Sequence, residues 1–243
     1  MDINQKSNMK VVILNITEYK EKDAIITALN ESEVISFTAK GIFSERSQNK
    51  ILNVPLNIVD IEIEKGKLKY PILKSFNMIY CPLISDVSIE YMTSLNIITE
   101  TTKRLLTDED KHFMFNVLVD VVTNLKSAKN YYALVLYYLD RLFEVAGYGF
   151  EVNSCVVCGS KKGIAAFSFA DGGFICKDCL ENNITQQLSA SEMGLLRNIY
   201  NSKDATTLDK FEFNSNEVEH LLKLYFTFIY DNFNITLNSF KTF

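Results

Sequence analysis

Proline and glycine are scarce, with three and nine residues in a chain of 243. That scarcity excludes long disordered or low-complexity segments, and no repeat of solenoid length runs through the chain. Long apolar runs are missing too. The longest stretches are broken by charges well short of the roughly 18 residues that a membrane span needs. The opening residues, MDINQKSNMK, hold no apolar run and no small-residue cleavage site, so they do not read as a signal peptide. The expectation is a cytoplasmic protein without a membrane segment. In that compartment thiols stay reduced, and paired cysteines more often hold metal.

Catalytic signatures are also lacking. The two histidines, His112 and His220, each lie inside a helical segment and outside any metal or nucleophile motif. The chain has no G-x-x-x-x-G-K-[ST] loop and no G-x-G-x-x-G loop to cradle phosphates. A nucleotide-driven enzyme is therefore not expected, and the chain reads as a non-enzyme. A nuclease built on scattered acidic metal ligands, which leaves no motif, is the one enzymatic alternative that stays open.

Positive charge is short as well. The net charge is −5, whereas a small DNA-binding protein usually presents a basic face. The balance is uneven along the chain. Residues 1–80 carry 11 Lys and Arg against 10 Asp and Glu, while residues 81–243 carry 14 against 20. A site for a polyanion is therefore expected in or beside the N-terminal part.

What is present is an ordinary globular composition, 47% hydrophobic and 23% charged, long enough for one large domain or two smaller ones. Residues 10–77 read as β-structure. Lys10–Thr17 is an apolar, β-branched run. Ala24–Leu29 and Val34–Ala39 follow, separated by the polar turn Asn30-Glu31-Ser32-Glu33. In Val59–Glu64 apolar residues alternate with Asp60, Glu62 and Glu64, as a half-buried strand requires. Lys65-Gly66 offers a two-residue turn, after which Lys67 would face Glu64 and Lys69 would face Glu62. Five short strands in about 70 residues suit a small Greek-key barrel of the OB-fold kind.

Near residue 80 the period becomes helical. Ser85 or Asp86 can cap a helix to about Leu106, and Thr107 can cap another over Asp108–Lys126 with Asp110 at its third position. A third, Asn130–Ala146, stops at Gly147. Ser189-Ala-Ser-Glu192 is a capping box. A last helix, Ser215–Phe233, turns Leu221, Leu222, Tyr225, Phe226, Phe228 and Ile229 toward a bundle core.

The strongest chemical signal is Cys155-Val-Val-Cys158 followed by Cys176-Lys-Asp-Cys179, a C-x2-C-x17-C-x2-C pattern. Four thiolates close a tetrahedral shell around one zinc ion and leave no position for water, so the site reads as structural. A redox or iron–sulfur role and unligated core cysteines are the alternatives. Strands at Ile164–Phe169 and Phe174-Ile175, joined by Asp171-Gly172-Gly173, would form a hairpin that brings the two pairs together. Cys81, beside Pro82, reads as a buried small hydrophobe. Lys40, Arg46 and Lys50 flank the polar connection after the third strand, Lys103 and Arg104 end the first helix, and Arg141 lies in the third. Each reads either as solvated surface or as part of one phosphate track.

The order of these features resembles the RecO family across essentially the whole chain. The matching residues begin with Tyr19-Lys-Glu21-Lys-Asp23, followed by Lys40-Gly41 and Ser47. Further on come Phe143-Glu144-Val-Ala-Gly147-Tyr148-Gly149, then C-x-x-C-G and its G-G-x-x-C-x-x-C return, and finally Asn238-Ser239-Phe240. The resemblance implies an α+β protein: an N-terminal OB-fold β-barrel over residues 1–80 for nucleic acid, then a helical domain over 81–243 with an inserted four-cysteine zinc-binding hairpin at 151–180. It further implies a DNA repair and recombination mediator that is not an enzyme. Such a protein binds single- and double-stranded DNA, anneals complementary strands and binds the C-terminal tail of single-strand-binding protein. With RecR it helps RecA onto coated DNA, at the nucleoid during repair. The acidic outer face at Asp60, Glu62 and Glu64 turns DNA away, toward Lys40, Arg46 and Lys50. The competing reading is a zinc-ribbon protein-interaction module with little DNA affinity, which the acidity of residues 81–243 would suit.

Overall fold

A computed structural model describes residues 6–65, 69–83, 88–106, 111–182 and 188–239. Contacts divide the chain into two compact units. One is Met1–Leu95 with Thr99–Lys126, and the other is Asn96–Ile98 with Ser127–Phe243. No helix among the described residues is long and apolar enough to cross a membrane.

Five strands close a barrel in the first unit: β1 (Lys6–Tyr19), β2 (Asp23–Leu29), β3 (Val34–Ala39), β4 (Ile58–Glu64) and β5 (Ile72–Tyr80), in the order β1-β2-β3-β5-β4. The expected OB-type barrel is present. Its closure rests on alternation. Ala24, Ile26 and Ala28 of β2 and Val59, Ile61 and Ile63 of β4 all point into one core with Val11, Ile13 and Phe37. Each large side chain buried there contributes about 1.5–3 kcal/mol. A bulge between Ile13 and Asn15 bends β1, which pairs with β4 through its first half and with β2 through its second. One parallel pair, Thr38 with Ile72, joins β3 to β5.

The β4–β5 register differs from the expected one. Glu64 stands opposite Ile72 and Glu62 opposite Ser75, so Lys69 lies before the returning strand rather than across from Glu62. Gly66 and Lys67 fall outside the described residues. Apolar contact decides the register, placing Ile61 opposite Phe76 and Val59 opposite Met78. The acids find other partners: Ser75 Oγ donates to Glu62 at 2.9 Å, and Lys74 pairs with Glu64.

Helix α1 (Ile89–Leu105) starts at Ser88, whose Oγ accepts from the Tyr91 amide at 3.2 Å. The expected caps Ser85, Asp86 and Thr107, and the acid Asp110, lie outside the described residues. Helix α2 (Lys111–Leu125) packs against β1. The division by contact thus follows α2, whereas the change of period falls near residue 80.

The second unit holds α3 (Tyr131–Val145), α4 (Ala190–Tyr200), α5 (Ser215–Phe233) and a small sheet of β6 (Glu151–Cys155), β7 (Ile164–Ser168) and β8 (Gly173–Cys176). Asn130 caps α3 through the Ala133 amide at 2.9 Å. At its far end Gly147 takes φ +82°, and the Tyr148 amide donates to the Phe143 carbonyl at 2.8 Å. This is the closing turn that glycine favours. The capping box of Ser189 and Glu192 opens α4, and α5 runs between Asn214 and a left-handed Asn234. Phe143 is an aromatic hub, stacked on Tyr225 at 5.5 Å and edge-on to Phe150 and Phe228. The motif from Phe143 to Gly149 therefore serves one turn and one core.

Candidate metal centre and nucleic-acid surface

The cysteine module is built on three strands, one more than the expected hairpin. β7 and β8 pair antiparallel, and β6 runs parallel to β8 on its other edge. Only Gly173 permits that approach, because a Cβ there would lie 2.4 Å from the Glu151 carbonyl oxygen. The first C-x-x-C turn is held by amide bonds: Gly159 donates to the Cys155 carbonyl and Cys155 to the Ser160 carbonyl, both at 2.8 Å. Gly159 lies at φ +73°, as a tight turn after the second cysteine demands. Arg197 of α4 anchors the sheet. Its Nε donates to the Val152 carbonyl at 2.8 Å, and its guanidinium lies 5.1 Å from the Phe174 ring centre. No sequence pattern marked Arg197, a single base in an amphipathic helix.

The sulfurs of Cys155, Cys158, Cys176 and Cys179 all lie within 4.8 Å of one another. Cys158 and Cys176 are 3.6 Å apart. Four sulfurs about 2.3 Å from one ion would be spaced by about 3.8 Å, so this set fits a tetrahedral metal. Cys155 and Cys176 are buried, Cys179 is half-buried and Cys158 is exposed. Burial raises the Cys155 thiol, but amides of Cys176, Cys158 and Val157 outweigh that and bring it down to about 6. Hydrogen bonds with Cys158 and Cys176 push Cys179 up to about 12. Cys81 stands apart. It is half-buried rather than buried, with its thiol 3.7 Å from the Leu83 carbonyl.

The basic residues divide into two kinds. Lys40, Arg46 and Lys50 are exposed on the connection between β3 and β4. That connection is ordered by residues without charge and by one acid. Gly41, at φ +69°, donates its amide to Asp23 Oδ1 at 2.8 Å. Ser47 caps the 3-10 helix Gln48–Leu52, and Asn49 Nδ2 donates to the Lys40 carbonyl at 2.8 Å. Asp23, Gly41 and Ser47, scattered in sequence, therefore shape one loop. Lys50 Nζ reaches the Glu45 carbonyl at 3.3 Å. Lys103 and Arg104 are exposed on α1, where Lys103 donates to Asn15 at 2.7 Å and Arg104 pairs with Glu100 at 3.3 Å.

Arg141 is of the other kind. Its side chain is only 14% exposed and pairs with Glu144 at 2.9 Å. The guanidinium also donates to the Tyr200 carbonyl and lies over the rings of Tyr137 and Tyr200. It is held in the core of the second unit, a placement that a lone basic residue in a helical segment does not reveal.

A family model described as recombination protein O C terminal matches residues 87–239. The chain is also similar to curated proteins called DNA repair protein RecO. It is 26% identical to that of Caldanaerobacter subterraneus subsp. tengcongensis, over 71% of this chain and 70% of the relative. For Halalkalibacterium halodurans the figures are 24%, 78% and 75%, and for Frankia casuarinae 26%, 77% and 79%.

Proposed function

The chain belongs to the RecO family of DNA repair and recombination proteins, and on that footing we propose that it binds single- and double-stranded DNA and anneals complementary strands. With RecR, and through the tail of single-strand-binding protein, it helps RecA onto coated DNA. It does this in the cytoplasm, at the nucleoid during repair, and without a bond-breaking reaction of its own. The observation that carries the DNA part is the closed barrel whose shaped β3–β4 connection exposes Lys40, Arg46 and Lys50. Phosphates are drawn to such a loop, while the exposed Asp60 repels them from the β4 face, where Glu64 is already paired with Lys74 and Glu62 accepts from Ser75. Lys103 and Arg104 are two further exposed cations, on α1, whereas the Arg141 side chain is only 14% exposed. The nucleic-acid function is assigned to residues 1–80.

Residues 151–180 form the metal segment within 81–243. One zinc ion would be held by Cys155, Cys158, Cys176 and Cys179, with the support of a separation below 4.8 Å. A four-thiolate shell leaves no open position, so the ion would fix the fold rather than activate water.

The test is strand annealing. Two complementary labelled oligonucleotides are mixed with and without the protein at low salt, and pairing is followed by fluorescence transfer. Acceleration that fades with salt is expected. No acceleration and no oligonucleotide binding would favour a protein-interaction module instead, which the acidic balance of residues 81–243 would suit.

A further inference from the structure

We infer that a cavity of about 670 Å³ beside the cysteine module is a docking site for an arginine- or lysine-bearing segment of a partner protein. It lies wholly within the second unit. Its walls come from the loop after α3, the β7–β8 turn and α5.

The interior is aromatic. Phe169 stacks on Phe228 at 5.2 Å, and Phe150 lies edge-on to both at 5.5 Å. Tyr148 stands at the rim, 39% exposed, with its ring 5.8 Å from that of Phe228. Val156 of the first cysteine turn also lines the opening, and its neighbour Val157 is 56% exposed. Apolar surface thus continues from the cavity onto the tip of the turn.

The charge at this opening has one sign. Glu151, Asp171 and Asp231 line it, and no Lys or Arg does. None of the three carboxylates is in an ion pair among the described residues. Glu151 accepts from the amides of Asn153 and Ser154, Asp171 from Ser168 Oγ, and Asp231 has no side-chain partner.

Phe150 and Phe228 are themselves buried, at 4% exposure each, so the ring most open to a ligand is that of Tyr148 at the rim. Its face attracts a cation, and the carboxylates add full charges of the same preference. DNA phosphate is repelled for the same reason. A small amine would satisfy the carboxylates but leave Val156, Val157 and the Tyr148 ring wet. An arginine or lysine side chain meets both needs, because its aliphatic stem covers apolar surface while its head reaches the acids. The neighbouring residues of the partner would then cover Val156 and Val157. This inference is independent of DNA binding at the barrel.

The test uses the full-length chain with a fluorescein-labelled peptide of alternating leucine and arginine. The controls are the same peptide with glutamate for arginine, and spermidine as a competitor. The arginine peptide should bind and the glutamate peptide should not. Asp231→Lys should weaken binding about five- to tenfold, since it turns an exposed attraction into a repulsion. Asp209→Lys, the same charge change outside the cavity wall, should leave it within about twofold. Both variants should keep the thermal transition of the unmodified protein. The proposal is overturned if the arginine peptide does not bind, if both peptides bind alike, or if the two variants weaken binding equally. Displacement by equimolar spermidine would also overturn it, because a small amine would then be the better ligand.

Discussion

Asp140 on α3 and Tyr225 on α5, 85 residues apart in sequence, share a hydrogen bond of 2.5 Å in which the phenol donates to Oδ1, and both side chains are fully buried. The second carboxyl oxygen, Oδ2, has no partner. Burial is the main influence and pushes the Asp140 carboxyl up to about 7, against the pull of Tyr225 and the Arg141 charge.

Folding therefore favours the protonated acid. The unfolded value is near 3.9. The stabilisation is present in full below about pH 4 and is lost as pH rises through about 7. Thermal unfolding of Asp140→Asn should lack this decline between pH 5 and pH 8, while the unmodified protein shows it. Tyr225→Phe should cost about 1–3 kcal/mol, because it leaves Asp140 without its donor. Parallel pH profiles for the unmodified protein and Asp140→Asn would contradict the assignment.

The cysteine cluster gives a second expectation. One zinc ion per chain should copurify, and Cys176→Ser should lower metal content and melting temperature together, since the ion binds the folded arrangement far better than the open chain. Cys158 is raised and Cys179 is pushed up to about 12 in the metal-free cluster. Rebinding zinc at pH 7 should therefore release roughly two or more protons per ion, measurable by calorimetry in buffers of different ionisation enthalpy. Affinity should rise with pH for the same reason. A folded, reduced protein with metal near zero would contradict the assignment.

Gly41 offers a third. At φ +69° a Cβ would be strained by the backbone and would press on Ser47 Oγ at 3.2 Å. Gly41→Ala should cost about 1 kcal/mol, which for a chain of this size lowers the melting temperature by roughly 2–4 °C. It changes no charge, yet it disturbs the loop that presents Lys40, Arg46 and Lys50. Oligonucleotide binding should weaken severalfold. Unchanged affinity would mean that the loop conformation does not matter for DNA.

Much of this architecture was legible in the residues. The last helix was bounded correctly at Ser215 and Phe233, because its aromatic face keeps one period throughout. The cysteine set was legible because two close pairs can meet only if the chain between them turns back. Other features were hidden by the nature of their interactions. The β4–β5 register looked like a matter of facing charges, yet exposed ion pairs are worth little beside the apolar pairing of Ile61 and Phe76. Strand β6 has only two paired positions, too few to leave an alternating pattern. Arg141 read as a base in the third helix, and nothing in the sequence marked its neighbour Asp140. Their burial depends on Tyr225, Tyr137 and Tyr200, which only the tertiary fold brings to them.

Anisotropy of a labelled single-stranded oligonucleotide, titrated with protein at several salt concentrations, tests the DNA-binding function most directly. The expected result is affinity that falls steeply with salt, as phosphate contacts release counterions. Replacing Lys40, Arg46 and Lys50 together by alanine should weaken binding to all sequences about equally and flatten the log–log salt slope by roughly 2. The same affinity and slope in the triple variant, or no binding by the unmodified protein at low salt, would contradict it.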